Sequence, residues 1–514
     1  MNSLRRRLLQ SVAALILTAL ICPPALDLWA ATGRLEITVV DKDTRKPIPC
    51  RIHLKRANGK PWKAERMPFW QDHFVFPGDI TLKLPLGGYT FVLERGPEYV
   101  DCTGNFTINN FADDSKQVEL QRFVDMSKEG WWSGDLDVHR PPSDIQLLME
   151  ADDLHVVPLT TWWNDTSDWT GKPLPKSLLL SFDGDRYCQI MSGGQQRAGG
   201  TLLFLNLVAP LLLRDASPEY PSPVTFIDKA RETPQAWVDL SRPYWWDLPM
   251  LVANRRIDSV QIANGQLCRD RAIANENGGK ARNLKTYPGV SGGGQWSQDI
   301  YFHLLDCGIR LPPSAGSGSG IAPNPVGYNR MYVHLDGEVS YEKWWESFRA
   351  GQVTISNGPL LRPNVEGQPP GHVFQGEPGR TLELEIGLTL STRDPISYLD
   401  LIKDGQVVAS VRVEEFVKNH KLPTMKFDHS GWFLIRAAAD VPSTYRFGMT
   451  APYFVEFDHQ PRISKHAVQF FLDWVYQRAR QIELADPAQR AAVLEYHRTA
   501  REFWQDLLKK SNAD

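Results

Sequence analysis

The chain has 514 residues, too many for one hydrophobic core, and this length points to about three domains. Its 57 basic and 60 acidic side chains nearly cancel to a net charge of -3, which argues against a nucleic-acid binder with a strongly basic domain. With 42% apolar and 23% charged residues it reads as ordinary globular protein, and tryptophan is the outlier at 17, with four adjacent pairs.

The first thirty residues read as an export signal. Arg5-Arg6-Arg7 form a basic start, Val12 to Ile21 an apolar run, Pro23 and Pro24 break it, and Ala30 and Ala31 follow. The run is about half of what a membrane-spanning helix needs, so cleavage is expected and no stable membrane span afterwards. The expected location is the periplasm, the cell envelope or the outside. Arg5-Arg6-Arg7-Leu8-Leu9 also leaves a twin-arginine route open, and Cys22 a lipid anchor, although Ile21 is bulky for that. Five cysteines lie beyond the signal: Cys50, Cys102, Cys188, Cys268 and Cys307. They stand singly, so Cys50 and Cys102 either pair in an oxidising compartment or remain buried thiols.

Residues 33–122 read as an antiparallel β module. Arg34 to Val40 alternate polar and apolar, and short strands follow at Arg51–Lys55, Ile80–Leu84 and Tyr89–Glu94. From 125 to 352 the pattern becomes strands alternating with helices. A helix Asp144–Asp153 capped by Ser143 precedes a strand Val156–Thr161, and another buried strand falls at Thr201–Ala209. A helix Gln298–Cys307, a strand Ile309–Leu311 and a helix Tyr341–Ala350 capped by Ser340 complete it. Repeated units of this kind predict an α/β fold with a parallel sheet or barrel. Residues 353–460 return to β character, with Asp404-Gly405 as a hairpin turn. Residues 461–514 form a helical tail restarted at Asp486-Pro487. No internal repeat is visible.

Asp137-Val138-His139 is the candidate site. On a strand, residues i and i+2 share a face, so a carboxylate and an imidazole point the same way and can reach one divalent ion or act as an acid/base pair. Two ligands do not hold a metal by themselves. Asp239 or His155 could supply a third, and the simpler expectation for His155 is a bond to backbone at a strand edge. Two other motifs are set aside. Gly289-Val290-Ser291-Gly292-Gly293 fits GxSxG but follows Pro288 without a leading strand, and the Gly316–Gly320 run lacks the lysine of a phosphate loop.

The wording from Glu36 to Pro49 resembles carboxypeptidase-regulatory-like β-sandwiches, which implies a spacer or ligand-presenting module without catalytic residues. Trp132-Ser133-Gly134-Asp135-Leu136-Asp137-Val138-His139 resembles the opening motif of the PHP (polymerase and histidinol phosphatase) superfamily, in its exported CehA/McbA-type metallohydrolase branch. Thr161-Trp162-Trp163-Asn164 and Phe348 to Pro359 carry the rest of the likeness, which spans roughly 131–440. The resemblance implies a distorted (β/α) barrel flanked by an N-terminal β-sandwich and a C-terminal β domain with a helical tail. It also implies that most metal ligands are replaced: Asp137 stands for a His, Trp162-Trp163 for an Asp-His pair, and Gln195 or Gln196, Thr201 and the Gly316–Gly320 run for others. Asp239 stands where another His is expected. The reading is therefore an exported protein with a degenerate metal site that binds a carbohydrate or other organic ligand at the barrel mouth. Arg140, Trp162, Trp163 and Asn164 would contact that ligand. One alternative is a phosphoester or ester hydrolase in which Asp137 and His139 are catalytic, with at most one zinc or manganese ion on Asp137, His139 and Asp239. A second is an envelope scaffold whose β modules carry the interactions. Oligomeric state is left open.

Overall fold

The computed structural model describes residues 32–514, so the expected export signal and Cys22 lie outside the described residues. Among the described residues no helix is long and apolar enough to cross a membrane. Strand dominates helix along the chain, and this overturns the expected α/β barrel.

The N-terminal module is a sandwich of two sheets. Thr32–Asp41 runs between Asp79–Pro85 and Asp113–Leu120 in a three-stranded sheet. The second sheet orders Phe69–Trp70, His73–Phe76, Cys50–Arg56, Gly87–Glu94 and Cys102–Ile108. Alternation turns Leu35, Ile37 and Val39 inward onto Ile52, Leu54, Phe74 and Phe76, as the polar-apolar pattern of the sequence requires. Cys50 and Cys102 remain free thiols.

The central sheet is mixed. Trp131–Gly134, Val156–Trp163 and Arg186–Arg197 run parallel, and so do Trp237–Leu240, Ser259–Ala263 and Pro313–Ala315. Between the two sets, Gly200–Leu205 is antiparallel to both of its neighbours. On the other flank Arg330–His334 is antiparallel to Trp131–Gly134 and to Val353–Ser356. No ladder joins Pro313–Ala315 to Arg330–His334 among the described residues, so the sheet curls without the uniform parallel closure of a (β/α) barrel. The cause is local. Asp183 and Gly184, with φ of 52° and 85°, turn Leu179–Phe182 back onto Arg186–Arg197 as a hairpin, and the 198–199 turn makes a second one. Turns of two or three residues can join antiparallel strands only, because parallel neighbours need a crossover of a dozen residues or more.

Several smaller expectations also shift. The helix after the candidate motif is Ile145–Ala151 with Asp144, not Ser143, as its N-cap. The expected strand Ile309–Leu311 is replaced by Pro313–Ala315. The helix expected at Gln298–Cys307 begins earlier, as Gly292–Asp306, with Ser291 of the GxSxG run as its N-cap. Tyr341–Arg349 forms as expected, with the Ser340 hydroxyl accepting from the Lys343 N–H.

The C-terminal β region shares its packing with the centre. Along Gly431–Ala438, Phe433 and Ile435 enter a core with Leu399, Leu401 and Tyr453, while Trp432 and Leu434 face the central core. One strand thus joins two cores through its two faces. The tail is two helices, Lys465–Gln481 and Pro487–Lys509, capped by Ser464 and Asp486. They lock together through Phe471 and Trp504, whose rings lie 5.0 Å apart. Trp504 Nε1 then donates to the Pro249 carbonyl (3.0 Å), so the tail is docked onto the central region.

Candidate functional site

Asp137-Val138-His139 follows the strand Trp131–Gly134 and keeps its alternation. Val138 is buried and bridges Leu159 on one side and Ser319 on the other, while Asp137 and His139 project together from the opposite face. His139 Nε2 lies 2.7 Å from Asp137 Oδ1. The Gly316–Gly320 run lies directly against the pair. A Cβ on Gly316 would come 2.4 Å from the Asp137 Cβ, and one on Gly320 would overlap the His139 carbonyl. Glycine is needed here for close approach of backbone, which explains the low-complexity stretch.

Asp135 is the structural keystone of this corner. Its buried carboxylate accepts from the backbone N–H groups of Ser317 (2.9 Å), Gly327 (2.7 Å) and Asp137 (3.1 Å), and from the Ser317 hydroxyl. Burial outweighs these donors and pushes its pKa up to about 7. Asp239 is in the same condition. It accepts from Gln261 Nε2 (2.7 Å) and from the hydroxyls of Ser314 (2.6 Å) and Ser259, and burial pushes it up to about 7.

These contacts decide whether a divalent ion fits. Both Asp239 oxygens are already engaged by protein donors, and the Asp137 oxygen nearest His139 is bonded to that imidazole. Among the described residues, Asp137, His139 and Asp239 do not bring three donor atoms onto one point. His155 does not complete them: its Nδ1 is 2.8 Å from the Ser133 hydroxyl, and burial lowers its pKa to about 3. The residues present do not fit the zinc or manganese centre that the family resemblance implies.

The tryptophan pair divides between core and cleft. Trp162 is 2% exposed and packs on Phe204, so it sits inside the core and not at a mouth. Trp163 is half-buried, and its ring meets His139 edge-on at 5.0 Å. Gly193 and Gly194 on the neighbouring strand make the slots for these rings, since a Cβ at either would lie 2.2 Å from indole carbon. Asn164 has φ of 53° and spends its carbonyl side-chain oxygen on the Gln196 N–H (2.9 Å), a turn role. Arg140 is buried over the Trp70 ring of the N-terminal module, 5.5 Å from its centroid, and does not line the cleft.

The cleft beside Asp137 has a volume of about 270 Å³, and Asp137, Trp163, Arg242, Trp245, Gln266 and Asn275 are among its lining residues. Thr201 and Gln196, noted as ligand replacements, also line it. Arg242 and Gln266 carried no signal in the sequence beyond the adjacent Trp245-Trp246 pair. Trp245 is itself fixed by its Nε1–H donating to Ser241 (2.9 Å), with the Arg242 guanidinium 5.0 Å from its ring centroid.

No family model matches the chain, and no curated protein matches it. Among solved structures, the Bacillus anthracis TIE protein matches at 22% identity over 21% of this chain and 19% of its own, with a TM-score of 0.15. A likeness of that size carries no argument about fold or function.

Proposed function

We propose that this protein binds a sugar or similar polyhydroxylated organic ligand in the cleft beside Asp137. The cleft's lining carries the reading. A half-buried indole (Trp163) offers an apolar face, while a carboxylate (Asp137), a guanidinium (Arg242) and the amides of Gln266 and Asn275 offer directional hydrogen bonds. Ring faces with a few placed polar groups are what a hydroxyl-rich ring needs. The basic-then-apolar run at 5–21 supports export, so that binding would take place outside the cytoplasm. Titration calorimetry against a panel of mono- and oligosaccharides tests the reading. A binder is expected, with affinity lowered at least about tenfold in Trp163→Ala. Absence of binding to every sugar by the folded chain would overturn it.

The Asp137–His139 contact favours a second reading, an ester or phosphoester hydrolase that uses the imidazole as general base. A carboxylate at 2.7 Å can orient and charge-stabilise a histidine in that role. Turnover of chromogenic esters or phosphoesters that survives unchanged in His139→Ala would sink this second reading.

A further inference from the structure

Outside the cleft, the N-terminal sandwich holds a cluster that neither reading uses. We propose that His53, Asp72 and His73 form a binding site for one divalent transition ion of the zinc class. These three side chains each place a ligating atom within 4.8 Å of the others.

The geometry comes from the strands. His53 lies on Cys50–Arg56, and Asp72 and His73 close the tight hairpin between Phe69–Trp70 and His73–Phe76, where Trp70 pairs with His73. The hairpin strand pairs with the His53 strand through Cys50–Ile52 and Phe74–Phe76. One Asp72 oxygen faces both imidazoles: Oδ1 is 3.0 Å from His53 Nδ1 and 3.3 Å from His73 Nδ1. Two donors that bind one zinc ion at about 2.0–2.1 Å in a tetrahedron stand about 3.3 Å apart, close to both of these separations.

His53 and His73 are 3% and 2% exposed. Neither ring nitrogen of His53 makes a hydrogen bond of good geometry, although a buried imidazole without a partner is costly. An ion would satisfy it. The second Asp72 oxygen is held by Lys55 Nζ at 3.2 Å, the outer contact that orients a ligating carboxylate. Nearby, Glu94 is neutralised by Arg51 and Arg269, so its charge is already spent. The Asp72 side chain is 33% exposed, which leaves a solvent side for entry and for a water as fourth ligand.

Two imidazoles with one carboxylate suit zinc and its neighbours better than calcium or magnesium, which prefer all-oxygen sets. The ion would pin the hairpin to the sandwich. That hairpin also carries Trp70, whose Nε1–H donates to the Ala322 carbonyl (2.8 Å) at the rim of the cleft.

The test uses the untagged full chain, stripped with chelator and dialysed, then titrated with zinc by calorimetry and with cobalt by visible absorption. One equivalent per chain is expected, with ligand-field bands of a tetrahedral nitrogen–oxygen site. Asp72→Asn, nearly isosteric and partly exposed, and His73→Gln should each weaken binding at least about tenfold, while His139→Ala should not. Zinc should also raise the Tm of the stripped wild-type chain, a readout that does not depend on either variant folding. No stoichiometric ion in the wild type, or an ion kept in both sandwich variants and lost in His139→Ala, would overturn the proposal.

Discussion

At the scale of single residues, the buried carboxyls of Asp135 and Asp239 have the clearest consequences. Burial chiefly pushes both up to about 7 in the folded protein, from the usual carboxylate value of 3.8. Between about pH 4 and pH 7 the folded protein therefore keeps protons that the unfolded chain releases. Stability is fully present at the acid end of that window and falls as pH rises through it. Asparagine at 239 carries no charge at any pH. Asp239→Asn is expected to stabilise the fold relative to wild type at pH 8, on the order of a few kcal/mol, and to give little or no gain near pH 4. Denaturant titrations at the two pH values would check this, and an equal effect at both would refute it. The motif that drew attention in the sequence, Asp137 with His139, did come together at 2.7 Å, because two positions on one face need only local backbone geometry.

At the scale of elements, the pairing of Val156–Trp163 with Arg186–Arg197 shapes the cleft. Gly193 and Gly194 lie under Trp162 and Trp163, and the parallel register sets Trp162 opposite Gly193 and Trp163 opposite Gly194. A methyl group at 194 has no space unless the Trp163 ring moves. Gly194→Ala is therefore expected to cost about 1–3 kcal/mol by overpacking, to change the tryptophan emission, and to weaken ligand binding as Trp163→Ala does. Unchanged emission and affinity would show that Trp163 does not shape the cleft. Nothing in the sequence marked these glycines, because their purpose depends on which strand lies alongside. The turn at Asp404-Gly405 was legible: φ of 48° and 77° there matches the type I′ hairpin that this dipeptide favours, a preference carried by two residues alone.

At the scale of the whole molecule, the sandwich and the central region are joined by buried ion pairs at the end of the helix Ile145–Ala151. Asp153 accepts from Arg95 (3.2 Å), Arg122 and Arg186 (2.6 Å), so it ties three separate segments together. Burial alone would raise its pKa, but these guanidinium groups overcome that and hold it well below the usual carboxylate range. A depressed pKa gives stability that is present above the unfolded value of about 4 and lost as pH falls below it. Asp153→Ala would leave the arginines without a shared anion and is expected to cost about 3–5 kcal/mol in denaturant unfolding at pH 7. A loss under about 1 kcal/mol would mean that the arginines find water or other partners.

The sequence alone determined what depends on near neighbours along the chain. The alternating strands of the sandwich, the hairpin at Asp404-Gly405, the caps at Ser340 and Asp486, and the shared face of Asp137 and His139 all follow from period-two patterning and turn or cap chemistry. How strands distant in sequence pair depends on contacts that form only in the assembled fold. Local βα patterning looked like a barrel, yet the Asp183-Gly184 hairpin inserted antiparallel strands and gave a mixed sheet. The same distance limit hid Asp239 among Ser259, Gln261 and Ser314, sent Trp162 into the core, stacked Arg140 on Trp70, and gathered His53 with Asp72 and His73. Burial, donor count and donor spacing are properties of assembled space, and periodicity carries no record of them.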